Sequence, residues 1–103
     1  MSDPLTIPED IMKHKLAIIK AHETRIKKSR KKLSPAERIA WICAPQLAFD
    51  SYESRGFLTV YDAHQILSAV GAYLISLPEA SPDYAPIYAW WAECGMRIKA
   101  VES

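Results

Sequence analysis

The sequence predicts an all-α protein, a small bundle of about four helices that begins with a long basic helix. Its 103 residues include seven prolines and only three glycines, and the prolines stand beside helix-capping residues rather than inside alternating apolar and polar stretches. Apolar residues recur at spacings of three and four, which is the period of an amphipathic helix. With 50% hydrophobic and 24% charged residues, the composition is typical of one soluble domain spanning residues 1–103.

The long basic helix is predicted over residues 7–32. Thr6 and Glu9 have the spacing of a capping box, and Pro8 is compatible with a first helical turn. No helix-breaking residue follows before the end of this segment. Its apolar residues form a narrow seam at heptad spacing, with one companion position: Met12, Ile19, Ile26 and Leu33, together with Leu16.

Residues 34–103 are predicted to form an aromatic-rich helical body. Ser34 and Glu37 repeat the capping pattern and start a second helix, which Gly56 ends. Pro45 is expected to kink this helix, and the alternative is a division into two short helices. Thr59 starts a third helix that closes before a proline at position 78. A fourth helix runs to the end of the sequence, and its start is placed at either Ser81 or Asp83. Its predicted buried residues are Ile87, Trp91, Cys94, Ile98 and Val101.

Charge is divided unevenly between these two parts. Residues 1–33 hold nine Lys or Arg and four acids, a net charge of +5, whereas residues 34–103 hold four and eight, a net charge of −4. The near-zero total argues against a disordered polyelectrolyte or a wholly basic nucleic-acid coat protein. The basic cluster is interpreted either as a solvated helix end or as a phosphate-binding site. Its main members are Arg25, Lys27, Lys28, Lys31 and Lys32.

We expect the apolar seam to contact another protein or a second copy of this chain, with the basic cluster steering an acidic target. The alternative is that the seam completes the internal core. Trp90 is a further candidate for the interface, because Trp91 already occupies the core-facing position and tryptophan often anchors interfaces. The alternative for Trp90 is packing beneath the first helix.

No catalytic or metal-binding pattern occurs. The three histidines lack metal-ligand spacing, and Cys43 and Cys94 are predicted to be reduced thiols on apolar helix faces. We therefore expect a protein that is not an enzyme and that uses no metal or cofactor. Without a signal segment or a long apolar run, we also expect a cytoplasmic protein with no membrane contact.

The chain resembles small all-helical bacterial antiactivators, which bind a LuxR-type quorum-sensing regulator. The resemblance lies in its size, in the helix through Ile19 and Ile26, and in the junction of residues 33–37 that leads into residues 41–45. It covers the general layout of the chain and implies a protein partner, a homodimer and no cofactor. The expected function is therefore a regulator that binds a transcriptional regulator and blocks its dimerisation or DNA binding. The alternative is a nucleic-acid-binding or nucleoid-associated regulator that uses the basic first helix.

Overall fold

Five helices follow one another in the computed structural model, which describes residues 4–102. They are α1 (Glu9–Met12), α2 (Lys15–Lys28), α3 (Pro35–Arg55), α4 (Val60–Ser76) and α5 (Tyr84–Glu102). The bundle has a radius of gyration of 13.7 Å. This architecture confirms the predicted all-α bundle, in which α2 to α5 are the four longer helices.

The single helix predicted over residues 7–32 is instead two helices, α1 and α2, and α2 ends at Lys28. The break lies at Lys13 and His14, where the His14 ring is held by α4: the Tyr73 hydroxyl lies 3.3 Å from His14 Nδ1. The turn allows α1 to pack against α5 while α2 packs against α3 and α4. Tertiary contacts thus override a sequence that is locally compatible with one helix.

The first helix also starts without the predicted capping box. Its N-cap is Pro8, which makes no side-chain cap hydrogen bond. Residues 5–7 are extended and are bound to the body by four hydrogen bonds. The Leu58 N–H donates to the Leu5 carbonyl, and Trp90 Nε1–H donates to the Thr6 carbonyl. The Tyr52 hydroxyl accepts the Ile7 N–H and donates to the Ile7 carbonyl.

Helices α3 and α4 begin and end where the sequence predicts. Ser34 and Glu37 form a complete capping box at the start of α3, and Gly56 ends this helix with a left-handed φ of 88°, a conformation that glycine adopts without steric cost. The Thr59 hydroxyl accepts the Asp62 N–H at the start of α4. Pro45 lies inside α3, which continues through it as one helix.

Helix α5 follows Asp83 directly, so Asp83 rather than Ser81 precedes its first residue. The predicted core face of α5 is confirmed for its central residues and is wrong for Val101, which is exposed near the end of the helix. The core of the bundle lies between all five helices. Its largest fully buried apolar side chains are Phe49, Ile11, Ile18, Ile66, Ile87 and Val70.

Candidate interaction surface

The seam predicted on the first helix lies mostly against the chain's own core. Ile26 is only 7% exposed, and Met12 and Ile19 are half-buried against the core. Leu33 is also half-buried. Leu16 differs from these residues, because 78% of its surface is exposed. Of the predicted seam, Leu16 is therefore the side chain most accessible to another molecule.

Trp90 is half-buried and packs against the core. Its indole N–H donates to the Thr6 carbonyl at 3.1 Å, so the ring fastens the extended N-terminal segment to α5. This contact is to the segment before α1, whereas the alternative predicted packing beneath the first helix itself.

The basic cluster lies at the end of α2 and in the loop that leads to α3. Lys27 forms an ion pair with Glu23 at 2.9 Å. Arg25, Lys28, Lys31 and Lys32 are exposed, and none of them forms an ion pair within residues 4–102. Exposed cations that form no ion pair within the chain are available to an anionic group of another molecule.

Lys31 and Arg25 line a cleft of about 680 Å³ between α2, α3 and α4. The Lys31 ammonium lies 5.6 Å from the centre of the Trp41 ring, a cation–π contact that places a charge beside an exposed aromatic face. We call this site the Trp41 cleft. Its principal lining residues are His22, Arg25, Lys31, Trp41, Tyr61 and His64.

The cleft wall is built on a hydrogen bond between α2 and α3. His22 is 5% exposed, and its Nε2 lies 2.8 Å from the carbonyl oxygen of Trp41. Since a carbonyl only accepts, Nε2 carries the proton. Nearby, Arg38 donates to the Ile26 carbonyl at 2.7 Å. These two bonds fix the end of α2 on α3 and so hold Arg25 beside Trp41.

A second exposed surface lies on the side of α3 that faces away from the core. Its positions recur along α3 at spacings of three and four, so the sequence carries a signal for it. We call this surface the α3 outer face. It consists of Ala36, Ile39, Ala40, Cys43, Leu47 and Asp50, all of them exposed.

The remaining reactive side chains are dispersed. Cys43 is exposed and Cys94 is buried, and both are free thiols. Burial raises the pKa of the Cys94 thiol above its ordinary value, with a further upward contribution from Glu93 and an opposing one from Arg97. Within residues 4–102, no three metal-ligating side chains come together. In the same range, no helix combines the length and apolarity needed to span a bilayer.

Comparisons with protein-family models, curated protein sequences and solved structures gave no significant match to this chain. The arrangement of the Trp41 cleft is therefore the basis for a functional assignment. It offers unpaired cations and an aromatic face in one concave site, a combination suited to binding an anionic group.

Proposed function

We propose that this protein is a non-enzymatic regulator that binds an acidic segment of another protein in the Trp41 cleft. The observation that carries the proposal is the position of the Lys31 ammonium over the exposed Trp41 ring, in a cleft that Arg25 also lines. A carboxylate entering the cleft would meet two cations that lack internal ion pairs, while apolar side chains beside it would cover the indole. Arg and Trp are the residue types that most often dominate binding energy at protein interfaces.

The distribution of apolar surface favours a protein over a nucleic acid as the partner. Large hydrophobic side chains are exposed on α2, α3, α4 and α5, among them Leu16, Ile39, Ile75 and Met96. Interfaces with nucleic acids are more polar and much more positively charged than interfaces between proteins. This chain has a net charge of only +1, and two of its 13 Lys and Arg residues, Arg25 and Lys31, line the cleft.

The resemblance to bacterial antiactivators supports a more specific form of the proposal. In that form the bound segment belongs to a transcriptional regulator, and binding blocks the dimerisation or the DNA binding of that regulator. The exposed cations at Lys28 and Lys32 would accelerate the encounter with an acidic surface more than they would strengthen the final complex.

The test is affinity capture of the tagged full-length chain from an extract of its own cells, with nuclease present. Three forms are compared: the unchanged protein, the cleft variant Arg25→Gln/Lys31→Gln, and the control variant Lys20→Gln/Lys99→Gln. The control removes the same charge from exposed lysines that do not line the cleft. We expect one protein to be retained by the unchanged chain and by the control, and to be lost by the cleft variant. Equal retention by all three forms, or no retained protein, would overturn the proposal.

One structural observation favours the alternative of nucleic-acid binding. The first helix has no aromatic residue to stack on a base, but the fold brings Trp41 and Tyr61 into the same cleft as Arg25 and Lys31. In that case capture would disappear on nuclease treatment. The purified protein would also retain DNA at low salt, with a salt dependence that falls in the variant with Lys27, Lys28, Lys31 and Lys32 changed to Gln.

A further inference from the structure

The α3 outer face is an apolar surface without a partner in the fold. Ile39 is 63% exposed and Leu47 is 62% exposed. Ala36, Ala40 and Cys43 lie between and beside them, and all three are exposed. Pro45 and Phe49, on the opposite side of the same helix, are buried. Thus α3 is apolar on both sides, whereas a surface helix needs only one apolar side to join its own core.

The spacing along this face is symmetric about Cys43. Ile39 precedes Cys43 by four residues, and Leu47 follows it by four residues. When two such helices cross antiparallel around a two-fold axis at Cys43, Ile39 of each copy lies opposite Leu47 of the other. A surface that complements itself in this way is what a two-fold symmetric dimer requires. The small side chains of Ala36 and Ala40 permit the two backbones to approach closely.

The charges at the two ends of the face favour the same antiparallel orientation. Lys32 lies just before α3 and Asp50 lies towards its other end, and neither forms an ion pair within residues 4–102. An antiparallel pair brings the Lys32 end of one copy to the Asp50 end of the other. A parallel pair would instead place like charges together. Asp50 accepts a hydrogen bond from the Gln46 side-chain amide, which is a neutral donor, so its charge has no cation beside it in the described part of the chain. Glu53 is already paired with the Lys15 ammonium, and Glu37 is not part of the α3 outer face and accepts the Ser34 N–H as part of the helix cap.

We propose that two copies of this chain associate through the α3 outer face, with their α3 helices antiparallel and Cys43 next to the two-fold axis. From Ala36 to Asp50 the face is about 21 Å long at the usual helical rise. One helix face of this length is small beside the interfaces of obligate dimers, so we expect a dimer that dissociates on dilution. Ala40 also lines the Trp41 cleft, so the α3 outer face and the cleft are neighbouring surfaces of α3. The residues changed in the tests below, Ile39, Leu47, Cys43, Asp50 and Lys32, do not line the cleft, so the dimer is tested separately from binding in the cleft.

The first experiment is sedimentation equilibrium of the purified full-length chain at concentrations up to about 1 mM. Four single variants are compared: Ile39→Lys and Leu47→Lys on the α3 outer face, and Leu16→Lys and Ile75→Lys as controls. All four side chains are exposed, so the variants are expected to fold, and circular dichroism verifies that they do. We expect the unchanged chain and both controls to dimerise, and each α3 variant to dimerise at least tenfold more weakly.

Oxidative cross-linking of the same protein tests the position of the axis. We expect a disulfide-linked dimer to form readily through Cys43 and to be absent from Cys43→Ser, since Cys94 is buried. Asp50→Lys is expected to weaken the dimer, and adding Lys32→Glu is expected to restore it. The proposal is overturned by a monomer throughout the concentration range. It is equally overturned by a dimer that Leu16→Lys disrupts while Ile39→Lys and Leu47→Lys leave it intact.

Discussion

His22 supplies the hydrogen bond that Pro45 cannot give to Trp41. In a regular α-helix the carbonyl of Trp41 would accept the N–H of the residue four positions later, and that residue is Pro45, which has no N–H. The His22 Nε2–H lies 2.8 Å from this carbonyl and donates to it from α2. Pro45 therefore leaves the Trp41 carbonyl without a hydrogen-bond donor in α3, and His22 in α2 supplies the donor. This hydrogen bond joins the two helices at the wall of the Trp41 cleft.

This relationship predicts that His22→Phe destabilises the fold by about 1–3 kcal/mol, because the substitution leaves a partly buried carbonyl without a donor. Adding Pro45→Ala should recover part of the loss, since alanine restores the N–H that the Trp41 carbonyl accepts within the helix. Urea unfolding of both single variants and of the double variant measures the coupling. If the two effects simply add, the hydrogen bond does not have the role assigned to it.

The sequence is sufficient to predict the helical body because its signals there are local. The Ser34 and Glu37 capping box and the Gly56 terminus each depend on residues within one helix, and the structure contains both. The break at His14 depends instead on Tyr73, which is 59 residues away. No periodicity within residues 7–32 can reveal a contact of that kind, so the sequence predicts one helix where the structure has two.

The difference between local signals and contacts between distant residues also explains which parts of the candidate sites the sequence predicts. Heptad spacing identified the seam through Ile19 and Ile26, but spacing alone does not say which molecule covers a seam. The packing of α2 against α3 and α4 buries Ile26 within its own chain. The Trp41 cleft combines residues from three helices, so its lining could not be assembled from the sequence before the helices were placed.

Gly71 lies under the Trp91 ring, and its replacement by alanine should be tolerated. A Cβ at this position would lie 3.6 Å from Trp91 Nε1, which is an ordinary van der Waals distance. Since glycine in a helix interior costs up to about 1 kcal/mol relative to alanine, Gly71→Ala should leave the stability unchanged or raise it by up to that amount. Thermal unfolding measures the change.

The matched variant is Gly71→Leu, whose larger side chain would displace the Trp91 ring. That ring donates from Nε1 to the Leu67 carbonyl at 2.9 Å, so we expect a clear loss of stability. A loss of equal size in Gly71→Ala would show that the space between Gly71 and Trp91 is smaller than the 3.6 Å contact distance indicates.

Two ion pairs that involve α3 should differ in their contribution to stability. Arg55 contacts Asp62 at 3.1 Å, and the Asp62 side chain is only 12% exposed. Arg55→Met leaves this carboxylate without its cation and should cost about 1–3 kcal/mol. Lys15 contacts Glu53, whose side chain is 47% exposed, so Lys15→Met should cost about 0–1 kcal/mol. Urea unfolding at low salt compares the two, and a reversed order would contradict this assignment.

The two cysteines should react at very different rates with iodoacetamide near neutral pH. Alkylation requires the thiolate, and burial raises the pKa of the Cys94 thiol and also shields it from the reagent. We expect mass spectrometry to find modification at exposed Cys43 first, with Cys94 modified only after unfolding. Cys43→Ser is the control, which should take up no label while folded. Rapid native labelling of that variant would show that Cys94 is accessible.

The raised pKa of Cys94 also sets the direction in which stability changes at alkaline pH. The thiol ionises more readily in the unfolded chain than in the folded one, so the unfolded state binds fewer protons once the pH exceeds about 8.5. The contribution of Cys94 to the free energy of unfolding is therefore constant below that pH. It falls as the pH rises through the raised pKa of the folded state. Burial and the Asp83 carboxylate raise the pKa of Tyr73 as well, which extends the decline to higher pH. Urea unfolding from neutral pH upward should show this loss, and Cys94→Ala should flatten its first part; an unchanged slope in that variant would exclude Cys94 as the cause.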